Sequence, residues 1–194
     1  MYIPLYIPLY IPFYMKFTTT VLCLAIVLGI SSLVSCSEAD WKGPKYQGYP
    51  LLTPNKTGTL AVKLANGTIH HYDKADSGIL ILNDSNIDQA KYDFKHLIVN
   101  WFSKWCTTWC VLFHPYYIKA HDIARQKGLN VQFAQMEWND NKKTITKYGV
   151  TTHPVQILFV HGKANPIEYK GSKGYTPLID WLTSQLNTLA KQGY

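Results

Sequence analysis

Cysteine is scarce in this sequence. Four in 194 residues are too few for a small scaffold held together by disulfides. Blocks of like charge are missing as well. Nineteen Lys and Arg against twelve Asp and Glu give a net charge of +7, but the basic residues are scattered. No run of them forms an arm for nucleic acid or another polyanion, so the excess charge is read as a solubility feature. Twelve Gly and ten Pro fall short of a collagen-like or low-complexity composition. Beyond residue 36 no segment approaches the roughly 20 consecutive apolar residues that a membrane-spanning helix needs. What is present is 47% hydrophobic and 16% charged residues, enough to bury the core of one domain with a small addition.

The first 36 residues are set apart from that domain. Residues 1–14, MYIPLYIPLYIPFY, carry Pro at every fourth position. This forbids a regular helix or central strand and leads us to expect a non-structural segment with translation starting at Met15. From there Lys16, the apolar run Val21–Ile30 and a small, polar stretch through Ser37 have the anatomy of a secretory signal peptide, 15–36. Leu33-Val34-Ser35-Cys36 offers a competing reading, a bacterial lipobox that would anchor the protein through a lipid on Cys36. Three N-x-[ST] sequons, at Asn55, Asn66 and Asn83, favour a eukaryotic secretory route with glycosylation at those asparagines. The end of the chain, Lys191-Gln192-Gly193-Tyr194, is not a KDEL-type retrieval signal, so endoplasmic reticulum lumen and secretion both stay open.

Past the signal segment only Cys106 and Cys110 remain. In an oxidising compartment two thiols this close pair with each other. A bridge closing so short a loop adds little stability through chain entropy, which points to redox chemistry over a static staple. The surrounding patterns alternate between strand and helix. Residues 37–78 read as an N-terminal extension in which Leu60–Leu64 and Thr68–Tyr72 flank Ala65-Asn66-Gly67 as a hairpin. Apolar strands are expected at Ile79–Leu82, Leu97–Phe102, Val131–Glu137, Val155–Val160 and Ile167–Tyr169. Helices are expected after Asn83-Asp84-Ser85, which can cap the first, from just after Cys106 through Lys127 with Pro115 inside, over Asn141–Tyr148, and over Tyr175–Leu189. That order implies an α/β fold with a mixed sheet covered by helices.

With these residues in view the segment 79–191 resembles the thioredoxin fold, and within it a protein disulfide isomerase catalytic domain. Leu97 to Cys106, LIVNWFSKWC, is similar to the strand that delivers the family's Trp-Cys. Cys110 followed by Pro115 is similar to its second cysteine and active-site helix. Lys147 to Pro154, KYGVTTHP, resembles the turn leading to its cis-proline, and Glu168-Tyr169-Lys170-Gly171 before a Trp181-containing helix resembles the domain's end. The resemblance implies thiol–disulfide exchange on protein or peptide substrates, with glutathione as a further reactant, no cofactor and no nucleic acid. Cys106 would be the nucleophile and Cys110 the resolving thiol. Trp105, Thr107, Thr108, Trp109, His153 and Pro154 would line the substrate groove, with Trp109 either meeting substrate or packing on the domain.

Two departures from the family stand out. Its C-x-x-C is here Cys106-Thr107-Thr108-Trp109-Cys110, one residue longer. A helical i,i+4 pair sits about 6 Å apart, still within the span that a disulfide accepts. The family's buried acid, six positions before the first cysteine, and its lysine partner are replaced by Asn100 and Gln135. The joint loss avoids an unpaired buried ion but removes a proton acceptor for Cys110. Two alternatives follow. Cys106, Cys110 and His153 could bind Cu(I) in a thioredoxin-like copper chaperone, because thiolates favour that soft ion. The domain could also be a redox-weak peptide-binding module. His70, His71, His96, His114, His121 and His161 show no ligand spacing and read as surface or packing residues.

Overall fold

The computed structural model of the chain describes residues 56–194. The Tyr-Ile-Pro repeat, the signal segment with Cys36, and the sequon residue Asn55 lie outside the described residues. Strands β1 (Lys56–Lys63) and β2 (Ile69–Ala75) form the hairpin expected around Asn66-Gly67. There follow β3 (Leu80–Leu82), α1 (Ile87–Asp93), β4 (His96–Phe102), α2 (Trp109–Gln126), β5 (Gln132–Glu137), α3 (Lys142–Tyr148), β6 (Val155–Val160), β7 (Ile167–Tyr169) and α4 (Tyr175–Lys191). All seven strands join one sheet in the order β1-β2-β3-β5-β4-β6-β7. Strand β5 pairs in parallel with β3 and β4, and the remaining pairings are antiparallel. The hairpin belongs to this sheet. Asp73 and Lys74 of β2 pair with Ile81 and Leu80 of β3.

Strand β4 is buried along its whole length, and its two-residue period divides the core in two. Leu97, Val99 and Trp101 meet Ile87 and Ala90 of α1 and Ile145 and Tyr148 of α3 on one face. Ile98 meets Phe113 and Tyr117 of α2 and Leu178 and Leu182 of α4 on the other. Tyr117 is fully buried and satisfies its hydroxyl by donating to the carbonyls of Ile98 and Ala134, at 3.0 and 2.9 Å. Helix α2 thereby locks to the two central strands.

Two helix starts differ from expectation. Asn83-Asp84-Ser85 does not cap α1, whose N-cap Asn86 makes no side-chain cap. The Asp84 carboxylate instead accepts the Lys143 and Thr144 N–H groups at 3.1 and 2.9 Å, capping α3 from about 60 residues away. Helix α2 starts at Trp109 with Thr108 as N-cap, so Cys106 lies in the turn before the helix. Helix α3 stops where Gly149 takes a left-handed φ of 63°, and Val150 N–H returns to the Ile145 carbonyl at 3.0 Å. Glycine adopts that conformation without steric cost, and the chain leaves toward Pro154.

The hairpin is tied to α1 by one carboxylate. The Asp93 side chain is fully buried and accepts from the Tyr72 hydroxyl at 2.5 Å, the His70 Nδ1 at 2.7 Å and the Gln89 amide at 2.7 Å. Burial pushes its pKa up, but the hydrogen bonds from Tyr72, Gln89 and His70 together outweigh burial and hold it below the usual carboxylate value. Asp93→Ala leaves the buried Tyr72 hydroxyl without its acceptor and is expected to cost about 1–3 kcal/mol at pH 7, measured by urea unfolding. Because the folded pKa is depressed, this stabilisation is present above the unfolded pKa, about 3.9, and is lost as pH falls through the folded one. The difference between parent and variant should therefore shrink in acid.

Candidate active site

The sheet register brings the site together. In the antiparallel β4–β6 pair, Trp101 stands opposite Val155, so the end of β4 and the start of β6 lie at the same end of the sheet. In the β6–β7 pair, Gln156 stands opposite Tyr169, which adds the end of β7. Three connections therefore converge: the turn carrying Cys106, the loop carrying His153 and Pro154, and the turn at residues 170–174.

The first turn is held from below. Glu137, at the end of β5, accepts the Lys104 N–H at 3.0 Å and the Asp140 N–H at 2.8 Å. Burial raises the pKa of this carboxyl, and the Lys104, Asn139 and Asp140 donors outweigh that effect and lower it. Ser103 Oγ accepts the Trp105 N–H at 3.2 Å and the Asn139 amide at 2.8 Å. Thr107 N–H folds back to the Trp105 carbonyl at 3.0 Å, a local turn before the helix begins.

Cys106 and Cys110 form a disulfide with a Cα–Cα distance of 5.5 Å. Cys106 is partly exposed and Cys110 buried. The Cys110 N–H, in the first turn of α2, donates to Cys106 Sγ at 3.1 Å. Although Cys106 lies outside the helix, its sulfur is therefore at the helix N-terminus, where N–H groups and the macrodipole favour a thiolate. Trp105 and Trp109 are 66% and 65% exposed, so neither is packed into the core. Thr107 and Thr108 are exposed between them.

Trp109 lines a groove with His153, Pro154, Glu168, Lys170 and Lys173. The His153–Pro154 peptide is cis. Gly171 closes one side of the groove. A Cβ there would lie 2.5 Å from the Tyr169 hydroxyl, which turns back to donate to the Ser172 carbonyl at 2.7 Å. His153 packs against Trp138, ring centroids 5.5 Å apart and planes tilted by 48°. Trp138 is fixed in turn by donation to the Val150 carbonyl at 3.3 Å and by Lys142 Nζ over its ring at 3.9 Å. Cys106, Cys110 and His153 place one potential ligand atom each within 4.8 Å of one another.

Beneath the cysteines runs a row of amides. Register aligns Gln135 of β5, Asn100 of β4 and Gln156 of β6, all buried and, by the strand period, on the α2–α4 face. Gln156 Nε2 donates to Asn100 Oδ1 at 2.7 Å, and Lys173 Nζ donates to Gln156 Oε1 at 3.1 Å. Lys173 is exposed overall, yet desolvation of its ammonium, partly offset by Glu168, lowers its pKa. The sequence reading missed Gln156, Lys173 and Trp138. Only Gln156 left a trace, as a single amide interrupting the apolar run Val155–Val160. The sequon residues Asn66 and Asn83 are exposed, at the hairpin turn and after β3.

The thioredoxin family profile, described as Thioredoxin, matches residues 78–184, more than half of the chain. The chain belongs to the thioredoxin family. Among curated relatives it is similar to "Protein disulfide-isomerase 1" of Caenorhabditis elegans, 27% identical over 109 residues, covering 56% of this chain and 22% of that protein. It is also similar to "Protein disulfide-isomerase" of Gallus gallus, 27% identical over 116 residues, 59% of this chain and 22% of that protein. The aligned part thus spans about a fifth of the length of these relatives. Among solved structures, the first thioredoxin domain of mouse protein disulfide-isomerase A4 superposes with a TM-score of 0.53 at 20% identity, covering 58% of this chain and 79% of that one. Human ERp44 form I gives a TM-score of 0.51 at 25% identity, covering 55% and 29%. The fold and the disulfide isomerase resemblance expected from the motifs hold, and Cys106 and Cys110 are present as a pair.

The amide row is open to a direct test. Gln156→Leu deprives the buried Asn100 Oδ1 of its donor and should destabilise the protein by about 1–3 kcal/mol in urea unfolding. Asn100→Leu combined with Gln156→Leu should recover part of that loss, because an apolar pair leaves no orphaned acceptor.

Proposed function

We propose that this protein is a thiol–disulfide oxidoreductase acting on protein or peptide disulfides in the secretory pathway. The observation that carries the reading is the placement of Cys106 Sγ. It is partly exposed, accepts a first-turn N–H of α2, and is joined to a buried Cys110 beside the Trp109–Pro154 groove. In the reducing direction the Cys106 thiolate attacks a substrate disulfide, forming a mixed disulfide and releasing one substrate thiolate. The Cys110 thiolate then attacks Cys106 Sγ, releasing the second. The substrate gains two electrons and the cysteine pair loses them, and reversal of both steps oxidises a substrate dithiol.

The backbone around the cis Pro154 is available to an extended peptide in the manner of an added strand. Trp109 and Trp105 offer apolar surface to its side chains, and glutathione is a small thiol able to reset the pair. The signal-like segment, the sequons and the resemblance to proteins named disulfide isomerases and endoplasmic reticulum resident protein 44 support an oxidising, lumenal setting, with Asn55, Asn66 and Asn83 as glycan acceptors.

A glutathione redox titration of the full chain, following thiols at Cys106 and Cys110, is the test. A reversible two-electron transition near the endoplasmic reticulum poise of about −180 to −210 mV is expected. Cys110→Ala should accumulate mixed disulfides at Cys106, whereas Cys106→Ala should accumulate none. A bridge that stays closed far below that range would remove the catalytic reading and favour a peptide-binding module. The amide row makes a second prediction. Asn100→Asp returns a proton acceptor to the site and should speed the resolving step by about a hundredfold at neutral pH, the lower end of what a positioned base contributes. Stopped-flow decay of the mixed disulfide would measure it.

A further inference from the structure

We infer that the reduced form of this site is a three-coordinate Cu(I) site built from Cys106, Cys110 and His153, so that the metal and the disulfide compete for the same two sulfurs. The inference rests on the reading that the pair is reducible. One ligand atom from each of the three residues lies within 4.8 Å of the other two in the disulfide form, so side-chain rotation after reduction brings all three onto one ion. His153 is held for the purpose. Its ring packs at a tilt of 48° against Trp138, which is anchored by the Val150 carbonyl and covered by Lys142. Its Nδ1 is buried and has no hydrogen-bond partner, so no hydrogen bond within the described residues competes for that nitrogen. Among the described residues no second cluster of metal-ligating side chains occurs.

The donor set selects the ion. Two thiolates and one imidazole are soft to borderline ligands, which suit Cu(I). Zn(II) prefers four ligands in a tetrahedral site, and with three from the protein it would have to take its fourth from solvent, whereas Cu(I) is satisfied by three. Neither sulfur can ligate as a thiolate while the two are bonded to each other. A phosphine reductant opens the bridge: the phosphine and one water become the phosphine oxide, and two thiols form. Cu(I) then displaces two protons and binds both sulfurs and the imidazole, with no change in the metal's oxidation state. Occupancy removes the attacking thiolate and so blocks exchange.

The experiment uses the full chain carrying Cys23→Ser and Cys36→Ser, so that Cys106 and Cys110 are its only thiols. The phosphine-reduced protein is titrated with Cu(I) against a chromophoric Cu(I) chelator, with Zn(II) in a parallel arm. One equivalent of Cu(I) should be retained, and X-ray absorption should report two sulfur donors and one nitrogen donor. His153→Gln should weaken retention by about tenfold or more, at least the loss that follows removal of an outer-shell partner. The unreduced protein should retain none. Retention no better than in the Cys106→Ser, Cys110→Ser variant, equal retention by His153→Gln, a copper spectrum without nitrogen, or Zn(II) held in preference to Cu(I) would each overturn the proposal. The titration needs no turnover, so its failure is separate from failure of the exchange assay. If His153→Gln does not fold, the absorption spectrum of the parent still decides the nitrogen ligand.

Discussion

Strand β4 has no residue in contact with water to any useful extent, and much of the molecule follows from that. On a strand paired on both sides and covered on both faces a buried polar group without a partner is costly, and among the described residues β4 carries two such nitrogens, His96 Nε2 and Trp101 Nε1. Its apolar residues supply both halves of the core. Its one interior amide, Asn100, finds a partner on a neighbouring strand, Gln156 of β6. Gln156 in turn leaves its oxygen toward the sheet edge, where Lys173 reaches it from the turn after β7. A chain of polar contacts thus runs from the middle of the sheet to the groove beside the disulfide. Each link is fixed by strand register more than by local sequence.

The same register sets the active-site geometry. Antiparallel pairing of β4 with β6 puts the exit of one strand beside the entrance of the other, so the turn carrying Cys106 and the loop carrying Pro154 come to the same end of the sheet although the two residues are 48 positions apart. Glu137 adds a brace from β5, because its parallel partner Phe102 ends β4 at the same level. The longer cysteine motif begins in a turn closed by the Thr107 N–H on the Trp105 carbonyl, and α2 begins only at Trp109.

What the sequence made legible was carried by periodicity and by covalent constraint. The run Leu97–Phe102 and the run Val155–Val160 read as strands because their length and apolar character leave few alternatives. The Cys pair and His153-Pro154 marked the site by residue type. The start of α2 was less legible, since a turn and a first helical turn share the same residues over so short a span. The role of Asp84 was misread for a related reason. A carboxylate in front of one helix looks like its cap, and only the fold reveals that α3 lies closer. Lys173 and Trp138 carried no local sign at all, because their partners Gln156 and His153 are brought to them by sheet pairing and loop packing.

The two cysteines end in unlike electrostatic settings. Cys106 has a helix N-terminus and a backbone donor directed at its sulfur, both of which favour its thiolate. Cys110 is buried above a neutral row, Gln135, Asn100 and Gln156, where the family resemblance places an acid and a lysine. A neutral row spares the fold the cost of desolvating an ion pair, which is several kcal/mol per ion before any Coulomb return. It gives up the group that could take the proton from Cys110. In an exchange reaction the first attack depends on the Cys106 thiolate and the escape from the mixed disulfide depends on that of Cys110. If the pair exchanges as proposed, slow attack by Cys110 prolongs the mixed disulfide relative to a site with a buried acid, while the stabilised Cys106 thiolate, a good leaving group, keeps return of the substrate by reversal open.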